Sequence, residues 1–340
     1  MSQLPHSLKM KLFYYPPASH KGYSNPYSIH YKKALEQYFY VLDKDNKPAK
    51  VLSWSFFKNS FIADVFIVNW LESICFLRLG YIQYLLVRIG LTVIRWRKKP
   101  IIWMFHNIHP HQGDNRCSRK IQNVLFNQSQ LIVSHSQEAA EYAHQKAGNK
   151  VIYKCHPVSA ISVKPFRGKV EPCDVLIWGA ILPYKGIYEF ISNANVRKNN
   201  LRIRIIGRCS DNELCKRIES QCNNEITFEN RRIDFDELAV CIAKSQYVLF
   251  PYIGDCVSSS GALIDTLTLG GTPIGPNVGA FRDLEDEGMC ITYSNYKELI
   301  NILKMKPKLY DKEAVNNFIT QNSWENFSKL LNQAITKNEK

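Results

Sequence analysis

Three consecutive serines and a glycine, Ser258 to Gly261, open the segment SSSGALIDTLTLGGTPIG. Hydroxyl side chains at a helix start accept from its unpaired N–H groups, and a glycine there lets a ligand come close to the backbone. Free amide hydrogens and the positive end of the helix dipole suit a phosphate, with Ser258, Ser259 and Ser260 as further donors. Asp265 lies four residues beyond Gly261 on the same helical face. A carboxylate in that place repels phosphate but binds the diol of a ribose or another sugar. Asp255 stands in the loop leading to the serines. A second cluster lies in WGAILPYKG, Trp178 to Gly186, where strand residues run into a loop and Lys185 precedes Gly186 and a helix. An ammonium there projects over the strand ends and neutralises a departing diphosphate, whose oxygen gains charge as its bond breaks. The same residues also read, more plainly, as a serine cap and a solvated turn lysine.

MFHNIHPH, Met104 to His111, is the other chemistry-bearing run. His106 and Asn107 close an apolar stretch, and His109 and His111 follow in the loop. An imidazole with a pKa near 6.5 takes a proton from a hydroxyl or donates to a developing oxyanion, which makes His106 the leading candidate for contact with a reacting group. His106, His109, His111 and Asp114 fall within nine residues, so a metal-dependent hydrolase stays open, although they lack the i, i+4 spacing of helical zinc ligands. Packing histidines are the third reading. His135 ends QLIVSHS and is placed at a strand edge by the same logic. In the loop PPASHKGYSNPY, Gly22 and Asn25 can approach a phosphate or an acceptor group, but no GxGxxG is present.

These residues need elements to hold them. KLFYYP, ADVFIVNW, IIWMFHNI, QLIVSHS and KVIYKCH are β-rich runs of few charges, the pattern of strands buried on both faces of a parallel sheet. Helical stretches lie between them, notably Ile74 to Arg97 and Gln137 to Gln145. A second α/β series begins at DVLIWG and continues through LRIRIIG, EITFEN, YVLFPY and TPIG. The alternation predicts two doubly wound α/β domains, whose ligands bind at strand C-termini. The predicted divisions are an N-terminal basic domain at 1–157, a linker at 158–172, a second domain at 173–322 and a C-terminal helix at 323–340.

Charge separates the halves. The chain of 340 residues carries a formal +14, yet residues 1–170 hold 24 Lys or Arg against 8 Asp or Glu, while the remainder is slightly acidic. The segment Phe76 to Pro100 combines large apolar residues with Arg78, Arg88, Arg95, Arg97, Lys98 and Lys99, as a basic amphipathic helix on an anionic bilayer would. A core helix with snorkelling arginines is the plainer reading. Its two interior arginines break the apolar run well short of a membrane span. Basic charge without any recognisable RNA- or DNA-binding signature argues against nucleic acid as a partner. Ten scattered cysteines form no CxxC pair, and the first residues lack the apolar core of a signal peptide, so a reducing cytoplasm is expected.

On these residues the second half resembles the donor-binding domain of GT-B glycosyltransferases. It is most similar to the retaining, E-x7-E type "group 1" family of bacterial surface-polysaccharide enzymes. The resemblance rests on G-x-x-x-P-Y-K-G at Gly179 to Gly186, IIGR at Ile205 to Arg208 and SSSGALIDTLTLGGTPI at Ser258 to Ile274. It implies two Rossmann-like domains facing across a cleft, a nucleotide-diphosphate sugar (UDP- or GDP-linked) as donor, and no cofactor or metal. Donor contacts are implied for Gly179, Lys185, Gly207, Arg208, the serines, Gly261 and Asp265. The first acid of the E-x7-E pattern falls on Val257 and the usual arginine on Ala180, which leaves Asp255 as the candidate replacement acid and the stereochemistry unassigned. NPY at Asn25 to Tyr27 and the HN-x-x-PH element resemble the acceptor side of such enzymes. This places Gly22, Asn25, Tyr27, His109, His111 and His135 near an acceptor, with His106, Asn107 and Lys185 at the reacting centre. The implied acceptor is a saccharide or a polyprenyl-diphosphate-linked saccharide, in capsule or exopolysaccharide assembly at the inner face of the membrane. A non-catalytic basic module for anionic lipid or nucleic acid is the rival from another class.

Overall fold

A computed structural model of the chain describes residues 9–17, 26–42, 52–106, 108, 115–254, 259–305 and 311–336. It divides into two compact units, one of residues 1–157 with 323–340, the other of residues 158–322.

The first unit is built on six strands: β1 (Lys11–Tyr15), β2 (Tyr40–Leu42), β3 (Val65–Asn69), β4 (Ile101–Phe105), β5 (Leu131–Ser134) and β6 (Val151–Tyr153). All pair in parallel in the order β2-β1-β3-β4-β5-β6. The helices are α1 (Pro26–Leu35), α2 (Leu52–Asn59), α3 (Gly80–Trp96), α4 (Arg116–Gln128) and α5 (Gln137–Ala147). Alternation along each strand feeds two cores. Phe13, Phe66, Val68 and Trp103 point to one face of the sheet, and Leu12, Tyr14, Ile67 and Met104 to the other. Burial on both faces is why these strands read as continuous apolar runs.

The sequence predicts one helix from Ile74 to Arg97, and here the structure differs. A 3₁₀ turn (Leu71–Phe76) is followed by a break at Leu77–Leu79, and α3 starts at Gly80. Leu79 takes a left-handed φ of 59°, and a Cβ on Gly80 would lie 2.1 Å from the Cys75 carbonyl oxygen. That close approach is possible only for glycine.

The second unit has β7 (Cys173–Trp178), β8 (Ile203–Ile206), β9 (Ile226–Glu229), β10 (Ser245–Leu249), β11 (Pro273–Pro276) and β12 (Ile291–Tyr293). Its helices are α6 (Ile187–Ser192), α7 (Ala194–Arg197), α8 (Asn212–Glu219), α9 (Phe235–Ala243), α10 (Gly261–Thr268), α11 (Gly279–Asp286), α12 (Tyr296–Lys304) and α13 (Lys312–Gln321). The order β12-β11-β10-β7-β8-β9, again all parallel, reverses direction between β7 and β10. In open α/β sheets this switch point is where loops diverge to opposite faces and leave a crevice for ligands. Residues 158–172 carry no regular strand or helix, but Val158 and Val170 are buried, and the Lys244 ammonium donates to the Val170 carbonyl at 2.6 Å.

A last helix, α14 (Trp324–Thr336), packs against α1 and the sheet of the first unit through Trp324, Phe327, Leu331 and Ile335. The two predicted doubly wound α/β domains are therefore present, each with its own parallel sheet.

Candidate functional site

In the second unit the switch-point loops carry the lysine and the serine-capped helix. After β7 the chain turns at Gly179, whose φ of 102° suits glycine, and passes through a 3₁₀ turn at Pro183–Lys185 to Gly186, with φ 61°. A Cβ on Gly186 would lie 2.1 Å from the Pro251 carbonyl oxygen, and Ile253 donates its N–H to the Tyr184 carbonyl at 2.9 Å. The loop after β7 is thereby docked on the segment after β10. Gly207, at the end of β8, lies against the Gly179 carbonyl so closely that a Cβ there would come within 1.9 Å of it.

These contacts place the Lys185 ammonium. It is only 8% exposed, sits 5.2 Å from the centroid of the Tyr252 ring, and would be 3.6 Å from a Cβ on Gly179. That same Cβ would lie 3.9 Å from Ala262 Cβ in the first turn of α10. Among the described residues the ammonium has no carboxylate or hydrogen-bond partner. Burial lowers its pKa from the usual lysine value, opposed by the neighbouring Tyr184. A buried cation held without a counter-ion is costly, and an anion offsets that cost.

Beside it α10 begins. Ser260 caps the helix, its hydroxyl oxygen accepting from the Leu263 N–H at 3.4 Å and sharing a 3.2 Å hydrogen bond with the Tyr252 hydroxyl. Burial pushes the Tyr252 hydroxyl up to about 12. The Trp178 indole donates to Thr266 Oγ1 at 2.9 Å and fixes α10 to the end of β7. Asp265, one turn into the helix and half-buried, has no hydrogen-bond or ionic partner among the described residues, and burial raises its carboxyl to about 7. Arg208 is exposed at the β8 end, and Ser259 lies half-exposed just before the cap. Asp255 and Ser258 lie outside the described residues.

The first unit has its own switch point, between β1 and β3. There Asn69 closes β3 and Trp70 follows in a left-handed conformation, φ 51°. Asn69 Nδ2 donates to the Tyr15 carbonyl at 3.0 Å, which turns its Oδ1 toward His106 Nε2, 3.1 Å away. A carboxamide oxygen only accepts, so His106 Nε2 bears the hydrogen. The ring stacks on Trp70 at 4.4 Å, is 3% exposed, and is held neutral by burial and by His135 and His156 nearby. Its Nδ1 is then a lone pair without a described partner.

His135 Nδ1 lies 2.8 Å from the Lys154 carbonyl and must donate to it, so Nε2 accepts from the Tyr27 hydroxyl, also at 2.8 Å. Burial lowers His135 to about 4 and His156 to about 3. The Tyr27 ring packs edge-on against Trp70, His106, His135 and Trp324.

The structure thus brings His106, His135 and Tyr27 together, and separately Gly179, Lys185 and Gly207 beside the start of α10 at Ser260 and Gly261, with Asp265 one turn further along that helix. Gly22, Asn25, Asn107, His109 and His111 lie outside the described residues. Sequence reasoning did not find Asn69, Trp70, His156, Tyr252 or Trp324. Trp70, His156 and Tyr252, the last residues of the runs ADVFIVNW, KVIYKCH and YVLFPY, carried the signal of a strand-end position. Among the described residues no cluster of three or more His, Cys, Asp or Glu could hold a metal ion, and no helix is long and apolar enough to cross a membrane. The nine described cysteines are free thiols.

The fold these two units define is that of the GT-B glycosyltransferases. No protein-family model matches the chain, and no curated protein matches it by sequence. Solved structures do match it by shape over nearly its whole length. HepE of Anabaena, in complex with UDP and glucose, superposes with a TM-score of 0.61 at 13% identity, covering 97% of both chains. A glycosyltransferase from Rickettsia africae gives 0.64 at 12%, covering 97% of this chain and 100% of that one. An α,α-trehalose-phosphate synthase from Burkholderia vietnamiensis gives 0.61 at 9%, covering 97% and 99%.

Proposed function

We propose that the chain is a glycosyltransferase that moves a sugar from a UDP- or GDP-linked donor to a saccharide acceptor. The observation that carries this reading is the buried Lys185 ammonium, without a carboxylate or hydrogen-bond partner among the described residues, beside the start of α10 at the β7/β10 switch point. A diphosphate is the anion whose charge and size suit a cation next to free helix N–H groups. Lys185 and the α10 start stabilise charge that builds on the diphosphate oxygen as the sugar bond breaks, so they act most strongly in the transition state. Asp265 accepts from a diol of the donor, Gly179 lets the phosphates approach the backbone beside Lys185, and Gly207 lets β8 pack on the Gly179 carbonyl. Complexes of HepE with UDP and with UDP-glucose support a donor of this kind.

The first unit takes the acceptor side. His106 there is a neutral imidazole oriented by Asn69, with one lone pair available to an acceptor hydroxyl. A net-basic unit with an amphipathic helix suits a lipid-linked acceptor at the inner membrane surface, and hence surface-polysaccharide assembly.

Purified protein incubated with a panel of UDP and GDP sugars should release nucleotide with one of them, and Lys185→Ala should abolish release. Equal release from both proteins, or none from any donor with any saccharide, would remove the reading.

A further inference from the structure

The helix α3 has three faces. Gln83, Val87, Leu91 and Ile94 are buried toward the unit's core. On the opposite side Ile82, Leu85, Ile89 and Trp96 are 50%, 42%, 51% and 83% exposed, an apolar stripe at helical spacing. Alongside that stripe Arg88 and Arg95, seven residues apart, share one flank. They line a cavity of about 640 Å³ together with Thr92, Lys98 and Asn127.

Cations near this helix end divide into two groups. Arg97 donates to the Ser60 and Ala63 carbonyls at 2.7 and 2.9 Å, and Lys99 pairs with Asp64 at 3.0 Å. Arg88, Arg95 and Lys98 have no side-chain partner among the described residues. Between Phe76 and Pro100 there are six cations and no carboxylate. The exposed Trp54, Phe61 and Ile62 on and after α2 add further apolar area next to α3.

We infer that the Arg88–Arg95–Lys98 cavity is a phosphodiester headgroup site, and that the neighbouring stripe of α3 enters the interface of an anionic bilayer. Charge complementarity selects this occupant. A second copy of the chain would bring the same cations face to face, and nucleic acid offers no partner for four large apolar side chains. Apolar side chains gain by entering the acyl boundary while guanidinium groups remain at phosphate depth. This deepens the membrane-surface part of the proposed function and gives the first unit one defined orientation on the lipid.

The test is flotation of the full chain with vesicles of phosphatidylcholine, alone or with a third of phosphatidylglycerol. Binding is expected only to the mixed vesicles. Combined Arg88→Ala, Arg95→Ala and Lys98→Ala should weaken it by roughly fivefold per cation removed, on the order of a hundredfold in all. Ile82→Gln with Ile89→Gln should weaken it further still at high salt, where the cations are screened. All five side chains are at least partly exposed, and unchanged thermal unfolding verifies that the variants fold. Equal binding to neutral vesicles, triple-variant binding equal to the parent, tighter binding to duplex RNA at the same salt, or a dimer that buries α3 would each overturn the inference. Nucleotide release is assayed separately without vesicles, so loss of flotation and loss of the transferase reading are told apart.

Discussion

At the scale of single residues, Lys185 and Asp265 are both ionisable groups buried against their own charge. Replacing Lys185 with Met removes a desolvated ammonium, so the unliganded protein should gain about 1–3 kcal/mol of stability. The same change removes the proposed charge-assisted contact to a diphosphate and should weaken nucleotide binding ten- to a hundredfold. Calorimetry of the variant with and without UDP or GDP reads both signs, and a variant that loses stability as well as binding would mark Lys185 as a packing residue. For Asp265, the folded carboxyl holds its proton to about pH 7 while the unfolded one releases it near 4. The native state therefore binds more protons between those values, and this group's contribution to stability falls as pH rises through the window. Asp265→Asn should remove that slope and raise stability at neutral pH by roughly 1 kcal/mol after solvent screening. If the ionised form accepts from a diol, affinity for a nucleotide sugar rises with pH through 7 in the parent and is flat in Asp265→Asn. His106, His135 and His156 act in the opposite sense. Their folded pKa values lie below the ordinary value near 6.5, so the unfolded chain binds protons first and stability is lost as pH falls from there toward 4, by up to about 1.4 kcal/mol per pH unit for each ring. Urea titrations across pH 4–7 separate the three histidines from the one carboxyl.

At the scale of elements, the loop after β7 is positioned by glycines that touch backbone. Gly207→Ala would place a methyl group within 1.9 Å of the Gly179 carbonyl oxygen, so either β8 or the Lys185 loop must move. A cost of about 1–3 kcal/mol is expected, with nucleotide affinity down tenfold or more, while Gly270→Ala, whose Cβ would meet no described atom within 4 Å, should cost only the strain of a positive φ. Denaturant midpoints together with nucleotide titration check both variants. What the sequence disclosed at this scale follows from chemistry that is local. Buried parallel strands are unbroken apolar runs, so β1, β3, β4, β7 and β10 stand out, and Ser260 announces α10 because capping is read from one residue and its neighbours. The three residues of β2 carry too little pattern to be seen, and the break before α3 was hidden because Leu79 is not a residue type that advertises a left-handed turn. Tyr252 beneath Lys185, and Asn69 behind His106, depend on strand register and on which loop docks where. No spacing along the chain encodes those contacts.

At the scale of the whole molecule, the chain leaves the first unit after Pro157, builds the second, and returns for its last helix. That path makes a specific prediction, because α14 is the final segment in sequence but part of the first unit's core. Trp324, Phe327 and Leu331 fill the sheet face formed by Leu12, Ile67 and Met104, and Trp324 also packs on Tyr27, which holds His135. Leu331 is fully buried, so Leu331→Ala should leave a cavity and cost about 2–5 kcal/mol. The loss belongs to the first unit alone. A nucleotide diphosphate bound at Lys185 stabilises the second unit by mass action, about 2.7 kcal/mol at a hundredfold excess over its dissociation constant. Scanning calorimetry with and without nucleotide identifies the second unit's transition as the one that moves. Leu331→Ala should lower the other transition and leave the nucleotide-sensitive one in place. If both fall together, or only the nucleotide-sensitive one falls, then the two units unfold as one body or the last helix supports the second unit, and the assignment of α14 to the first unit's core is wrong.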